Sequence, residues 1–80
     1  MKFDVWLDTF VEEKGYDTEQ IFEVEGDSGT NYIPLGCVLE AMKHAPKHEQ
    51  NSIKNKVVQL DFHNADVLDF FKHLAKAIAR

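Results

Sequence analysis

Cysteine is nearly absent from this chain of 80 residues, which contains only Cys37. Because one cysteine cannot form an internal disulfide, the class of small secreted domains held together by disulfides is excluded. Long apolar runs are absent as well, and the first residues, MKFDVWLD, carry acids where a signal peptide needs apolar side chains. We therefore expect a cytoplasmic protein that has no membrane-spanning segment.

Signatures of metal and cofactor sites are also missing, since the chain has no HExxH, no CxxC and no twelve-residue calcium loop. His44 and His48 are four residues apart, but Pro46 between them interrupts the helical face that would present both. A second group of acids and histidines lies further on: Asp61, His63, Asp66, Asp69 and His73. Its one pair with a clean helical spacing, Asp69 and His73, is typical of a solvated helix surface. We expect no metal and no cofactor.

The segment Gly26-Asp27-Ser28-Gly29 is a short motif that points toward catalysis. It resembles the start of the pattern around the nucleophilic serine of chymotrypsin-like proteases, but Thr30 follows where that pattern has another glycine. Those enzymes need two β-barrels to bring a histidine and an aspartate to the serine, which 80 residues cannot build. Since Gly, Asp and Ser favour turns, we interpret the segment as a turn and expect that the protein is not an enzyme.

Apolar and aromatic side chains, by contrast, are plentiful: 44% of the residues are hydrophobic, and there are six Phe and one Trp. This composition indicates a folded chain rather than a disordered one. A chain of this length forms a single domain, residues 1–80, which buries roughly 60% of its unfolded surface. Such a domain has one modest core and little room for a deep active-site cleft.

Two stretches at the ends of the chain have the periodicity of amphipathic helices. In the first, the apolar positions are spaced by three and four residues: Phe3, Trp6, Leu7, Phe10 and Val11. Gly15 is placed to end this helix. The last stretch, residues 65–80, repeats the pattern at Val67, Phe71, Leu74 and Ile78. We predict both helices and expect them to pack on each other to form the core.

The segment after the first helix allows two interpretations. Asp17 and Gln20 form a variant capping pattern that opens a short helix, which Gly26 can close. Residues 21–25 within it also alternate like a strand, with 26–29 as a turn and 30–33 as a return strand. We favour the helix, because an isolated hairpin is only marginally stable.

Two more helices are predicted in the middle of the chain. Pro34 suits the first turn of one of them, whose apolar face consists of Leu35, Val38, Leu39 and Met42. Cys37 belongs to this helix and is predicted to be a small buried apolar residue. Ala45-Pro46 ends it, and the next helix carries Ile53, Val57 and Leu60, with a strand over residues 57–62 as the alternative.

The fold class that we predict is mainly α, a compact bundle of four to five short helices. The alternative is a small α+β domain with a short hairpin or a two- to three-stranded sheet.

Charge is distributed unevenly along the chain, whose net charge is −5. Residues 1–27 hold nine acids against two lysines, and residues 28–80 hold five acids against seven bases, so the two parts carry −7 and +2. A basic stretch runs through the second part: Lys43, His44, Lys47, His48, Lys54 and Lys56. It contains no arginine to read guanine, and the protein as a whole is acidic, which argues against nucleic acid as a partner.

The function that these features favour is a non-enzymatic one, in which a small domain binds another protein or itself. Two alternatives are an acidic inhibitor of a nucleic-acid-acting protein, of the phage or plasmid type, and a small DNA-binding regulator. Aromatic residues in excess of what one small core can bury indicate an interface. The candidate interface residues are Tyr16, Phe22, Tyr32, Phe62 and Phe70. We predict a homodimer with an aromatic interface, in which the acidic and basic parts of two antiparallel copies can face each other.

Overall fold

A computed structural model of the chain describes residues 1–60 and 64–79. Its elements follow in the order α1 (Phe3–Lys14), β1 (Ile21–Gly26), β2 (Gly29–Pro34), α2 (Leu35–Lys43), α3 (Lys47–Leu60) and α4 (Asn64–Ile78). The prediction of a mainly α fold is confirmed, and the hairpin of the alternative α+β description is present beside the helices.

Helix α1 begins and ends close to where its apolar periodicity predicts. Leu7, Phe10 and Val11 are buried on one face, and exposed acids occupy the other. Gly15 ends the helix in the left-handed conformation, with φ 73°, and its N–H donates to the carbonyl of Glu12 at 3.1 Å. A residue without a Cβ adopts this conformation at little cost, which is why the glycine stops the helix here.

Residues 21–25 form a strand, so the short helix favoured for them is wrong. β1 pairs antiparallel with β2, with Phe22 opposite Ile33 and Val24 opposite Asn31. Phe22 and Val24 are buried, whereas the residues between them are exposed. The hairpin is not isolated, because β1 packs on α4 and β2 packs on α2. Burial of one face against two helices provides the stability that a lone hairpin lacks.

The hairpin reverses direction at Asp27 and Ser28, which confirms the prediction of a turn. Gly29 completes the reversal with φ 119°, a backbone conformation that residues with a side chain rarely adopt. The local sequence thus fixes where the strands end, and the register follows from that turn.

Helix α2 follows β2 directly, with Pro34 as its N-cap in an extended conformation. The predicted apolar face is confirmed, since its members are all buried: Leu35, Val38, Leu39 and Met42. Helix α3 then runs unbroken to Leu60, which shows helix rather than strand over 57–60. The remainder of the alternative strand, residues 61 and 62, lies outside the described residues.

The core is one cluster of buried apolar side chains contributed by all six elements. α1 packs mainly on α2 and α3, and α4 packs mainly on β1, α2 and α3. Direct pairing of the two terminal helices is therefore not the main contact of either one, contrary to expectation. Their link includes Tyr16, just beyond the end of α1, whose ring contacts Phe71 edge-on with centroids 6.1 Å apart. Over residues 1–60 and 64–79, no helix has the length and apolarity needed to cross a membrane.

Candidate protein-docking groove

Helix α4 carries two parallel rows of apolar side chains. The first row, Val67, Phe71 and Ala75, is completely buried in the core. The second row, Phe70, Leu74 and Ile78, is displaced by one residue and is only partly covered, with Ile78 41% exposed. The apolar stripe of a core-facing helix is ordinarily wide enough to contain both rows. The second row is notable because the core covers it only in part, so the monomer leaves some of the apolar stripe of α4 exposed.

This second row forms one wall of a groove between α4 and α3. On the α3 side the wall consists of Glu49, Ser52, Ile53 and Lys56, and the groove has a volume of about 460 Å³. Only Ile53 among these four is apolar, and it lies at the centre of the α3 wall. The floor of the groove is thus apolar, and its polar groups are at the edge.

The groove continues past Leu74 toward α2. A smaller hollow of about 210 Å³ shares Glu49, Ile53 and Leu74 with it. The further lining of this hollow includes Ala41, Ala45, Ala77 and Ile78. We refer to the two hollows together as the α3–α4 groove. Small alanines on two helices leave its floor open enough to receive larger side chains.

Two opposite charges lie on the α3 edge of the groove. Glu49 is in the first turn of α3, and Lys56 is two turns further along the same face. Both side chains are exposed. Within the described part of the chain, neither takes part in an ion pair with another residue. Both charges are therefore available to a partner that occupies the groove.

The structure does not bring the candidate interface residues together. Phe22 is buried in the core at 7% exposure, and Tyr16 is partly buried against it, so their rings serve the monomer. Tyr32 is 64% exposed on the outer face of the hairpin. Phe70 lines the α3–α4 groove, and Phe62 lies outside the described residues. Of the four candidates that the structure describes, only Phe70 and Tyr32 remain available to a partner, and they lie on different surfaces.

Much of the aromatic surplus is used within the monomer, in a row of neighbouring rings. Trp6 stacks on Phe10 with centroids 5.6 Å apart, and Phe10 contacts Tyr16 at 6.2 Å. Lys54 of α3 lies over the ring of Trp6, with its Nζ 5.5 Å from the ring centroid. Sequence periodicity showed each ring but could not show that the rings stack in sequence across element boundaries.

The basic stretch is partly neutralised by the chain's own acids and rings. Lys43 Nζ lies 2.7 Å from an Asp8 carboxylate oxygen and 3.6 Å from Glu40. The hydrogen bond to Asp8 raises the pKa of Lys43 above its ordinary value. With Lys54 placed over Trp6 as well, fewer free cations remain for nucleic acid than the sequence alone suggests.

The other residues singled out by sequence do not form a second site. Cys37 is exposed, so its predicted burial is wrong: the buried face of α2 passes through Val38 and Leu39, and position 37 falls outside it. Ser28 is at the exposed tip of the hairpin. Among residues 1–60 and 64–79, no group of three acids, histidines or cysteines is close enough to hold a metal ion. Asp61 and His63 lie outside these ranges.

Comparisons with protein-family models, with curated proteins and with solved structures found no match to this chain. Function is therefore inferred from the chemistry of the groove itself.

Proposed function

We propose that this chain is a small, non-enzymatic interaction domain that binds a protein partner in the α3–α4 groove. The observation that carries the proposal is the second apolar row of α4, which the monomer core leaves partly uncovered. Partly exposed apolar side chains around a concave surface are typical of protein-binding sites.

The groove has the composition of a protein interface rather than of a catalytic cleft. Its centre, formed by Ile53, Phe70 and Leu74, offers an aromatic ring and branched aliphatic side chains. These groups bind by desolvation and shape, which is how apolar faces of helices dock into grooves. Glu49 and Lys56 at the edge add orientation, because charges at a rim affect specificity more than affinity.

Lysine-directed crosslinking inside the source cells tests this proposal without assuming who the partner is. A tagged chain should crosslink to a protein through Lys56, which is exposed at the edge of the groove. The variant Ile78→Glu places a charge against the apolar row at a position that is 41% exposed, so the fold should survive. This variant should lose the crosslinked product.

The matched control is Val58→Glu, which lies on the opposite side of α3 from the groove and is 51% exposed. It should retain the crosslinked product. Absence of any protein crosslinked through Lys56, or the same product with Ile78→Glu, would refute the proposed function.

A further inference from the structure

We infer that the occupant of the α3–α4 groove is a second copy of this chain, docked with its α3 antiparallel to the first. This inference rests on the proposed function and names the partner. The surface is the apolar groove between α3 and α4, and the feature that selects a second copy is the order of charges along its edge.

The order of charges follows from helix geometry. Glu49, Ser52 and Lys56 recur at spacings of three and four, so they share one face of α3. Seven residues at a rise of 1.5 Å place Glu49 and Lys56 about 10.5 Å apart along the helix. A twofold axis through the midpoint, beside Ser52 and Ile53, brings Glu49 of one copy opposite Lys56 of the other. The same operation brings Lys56 of the first copy opposite Glu49 of the second, so two opposite-charge contacts form at once.

The apolar row of α4 becomes self-complementary about the same axis. Lys56 lines the same hollow as Phe70, and Glu49 lines the hollow that contains Ile78. The later residue of α3 is thus near the earlier residue of α4, so the two helices run antiparallel. Leu74 lines both parts, near the middle. The twofold axis therefore places Leu74 against Leu74, and Phe70 against Ile78 of the other copy. The ring of Phe70 in one copy therefore meets the smaller side chain of Ile78 and the alanine-lined hollow of the other copy.

The other way of placing two such grooves face to face lays α3 of one copy on α4 of the other. In that arrangement Glu49 and Lys56 face the apolar residues Ile78 and Phe70, and their charges gain no partner. Burying a charge against apolar groups without a partner is costly. The antiparallel α3 pair is therefore the arrangement that the charges favour.

The size of the surface limits the strength of the dimer. Helices of 14 and 15 residues are about 21 to 23 Å long. Two such helices side by side make a face at the small end of stable protein interfaces. We expect a dissociation constant in the micromolar range.

Exchange of the two charges tests the arrangement directly. In Glu49→Lys both contacts become lysine against lysine, and in Lys56→Glu both become glutamate against glutamate. Each variant alone should dimerise about tenfold more weakly than the wild type at low salt. The double variant Glu49→Lys/Lys56→Glu restores opposite charges at both contacts and should recover the affinity of the wild type. Circular dichroism of each variant checks that these exposed substitutions leave the helices intact.

Mixing the two single variants gives the sharpest result. A copy with Lys at 49 and a copy with Glu at 56 form two attractive contacts when they pair with each other. With one variant labelled with ¹⁵N, native mass spectrometry should show the mixed dimer in clear excess over both homodimers, and sedimentation equilibrium should give its affinity.

A statistical mixture of the three dimers, or affinities that do not respond to any charge exchange, would overturn the antiparallel α3 pair. Monomers in every sample up to about 100 μM would overturn the second copy as partner. If the chain is monomeric, the proposed function is still tested by the crosslinking experiment, in which Lys56 would be crosslinked to a different protein.

Discussion

Phe71 shows how closely the apolar periodicity of a helix reports burial at single residues. The ring is completely buried and belongs to the row on α4 that faces the core. Phe71→Ala removes the ring and leaves a cavity, so we expect the free energy of unfolding to fall by about 3–5 kcal/mol. Urea denaturation measures this loss. The matched control is Ile21→Ala, half exposed on the hairpin, which should cost less than about 1 kcal/mol.

A loss below about 1 kcal/mol for Phe71→Ala would contradict the burial of this ring in the core.

The apolar periodicity of α4 also assigned Leu74 and Ile78 to the buried row, and for these two residues it was less accurate. Both rows on α4 satisfy a helical repeat, so spacing alone could not decide which of two adjacent rows faces inward. Cys37 illustrates the same limit on α2, where a one-position shift separates a buried residue from an exposed one.

Lys43 provides a residue-level test at alkaline pH. Its pKa is raised above the ordinary 10.5, first by the hydrogen bond from Nζ to Asp8. Because the pKa in the folded protein exceeds that of the unfolded chain, the contribution to stability is complete below the unfolded pKa. It is lost as the pH rises through the folded pKa. The pair is partly exposed, so we expect it to contribute at most about 1 kcal/mol.

The measurement compares urea denaturation of the wild type and Asp8→Asn at pH 8 and above pH 11. The stability difference between them should be present at pH 8 and should shrink at the higher pH. Glu13→Gln, an exposed acid on the same helix, should show no such pH-dependent difference. A difference for Asp8→Asn that stays constant with pH would mean that the ion pair with Lys43 does not stabilise the fold.

At the level of elements, the hairpin is where the prediction from sequence was wrong. Residues 21–25 fit both a helical and a strand pattern, and the packing of the hairpin on α2 and α4 favours the strand. No local signal contains that contact. Gly29, in contrast, is a local signal, because its φ of 119° is a conformation that favours glycine and it completes the reversal that begins at Asp27 and Ser28.

Gly15 and Gly36 give a matched pair of substitutions at helix positions. At Gly15 a Cβ would meet nothing within 4 Å, but φ is 73°, so Gly15→Ala should cost about 1–2 kcal/mol through backbone strain alone. Gly36 lies inside α2 with no positive φ, and a Cβ there makes ordinary contact with the Thr18 carbonyl at 3.4 Å. Gly36→Ala should be neutral or stabilising by up to about 1 kcal/mol. In thermal denaturation, Gly15→Ala should lower the midpoint of unfolding, and Gly36→Ala should raise it or leave it unchanged. Equal destabilisation by the two substitutions would contradict the role of Gly15 in ending α1.

For the whole molecule, some charges of the acidic and basic parts of the sequence pair with each other inside one monomer. Asp8 from the acidic part pairs with Lys43 from the basic part, so the charge split alone does not require a partner. The feature that points outward is instead the second apolar row of α4. Sequence periodicity had placed Leu74 and Ile78 on the main helical stripe and Phe70 beside it, but their joint exposure depends on how α2 and α3 pack around α4. The groove could therefore not be predicted before the fold was known.

The dimer prediction consequently shifts from a general aromatic surface to one groove. Tyr32, 64% exposed on the hairpin, is not part of it, and the stacked rings of Trp6, Phe10 and Tyr16 belong to the monomer. In the dimer that we now predict, the α3–α4 groove of one chain is covered by the same groove of another.

The mass in solution tests that claim most directly. Multi-angle light scattering at concentrations up to about 100 μM in near-physiological salt should give twice the chain mass of 9.2 kDa for the wild type. Val58→Glu should give the same mass, and Ile78→Glu should give 9.2 kDa at every concentration. A wild type that stays at 9.2 kDa throughout, or a dimer that persists in Ile78→Glu, would contradict it.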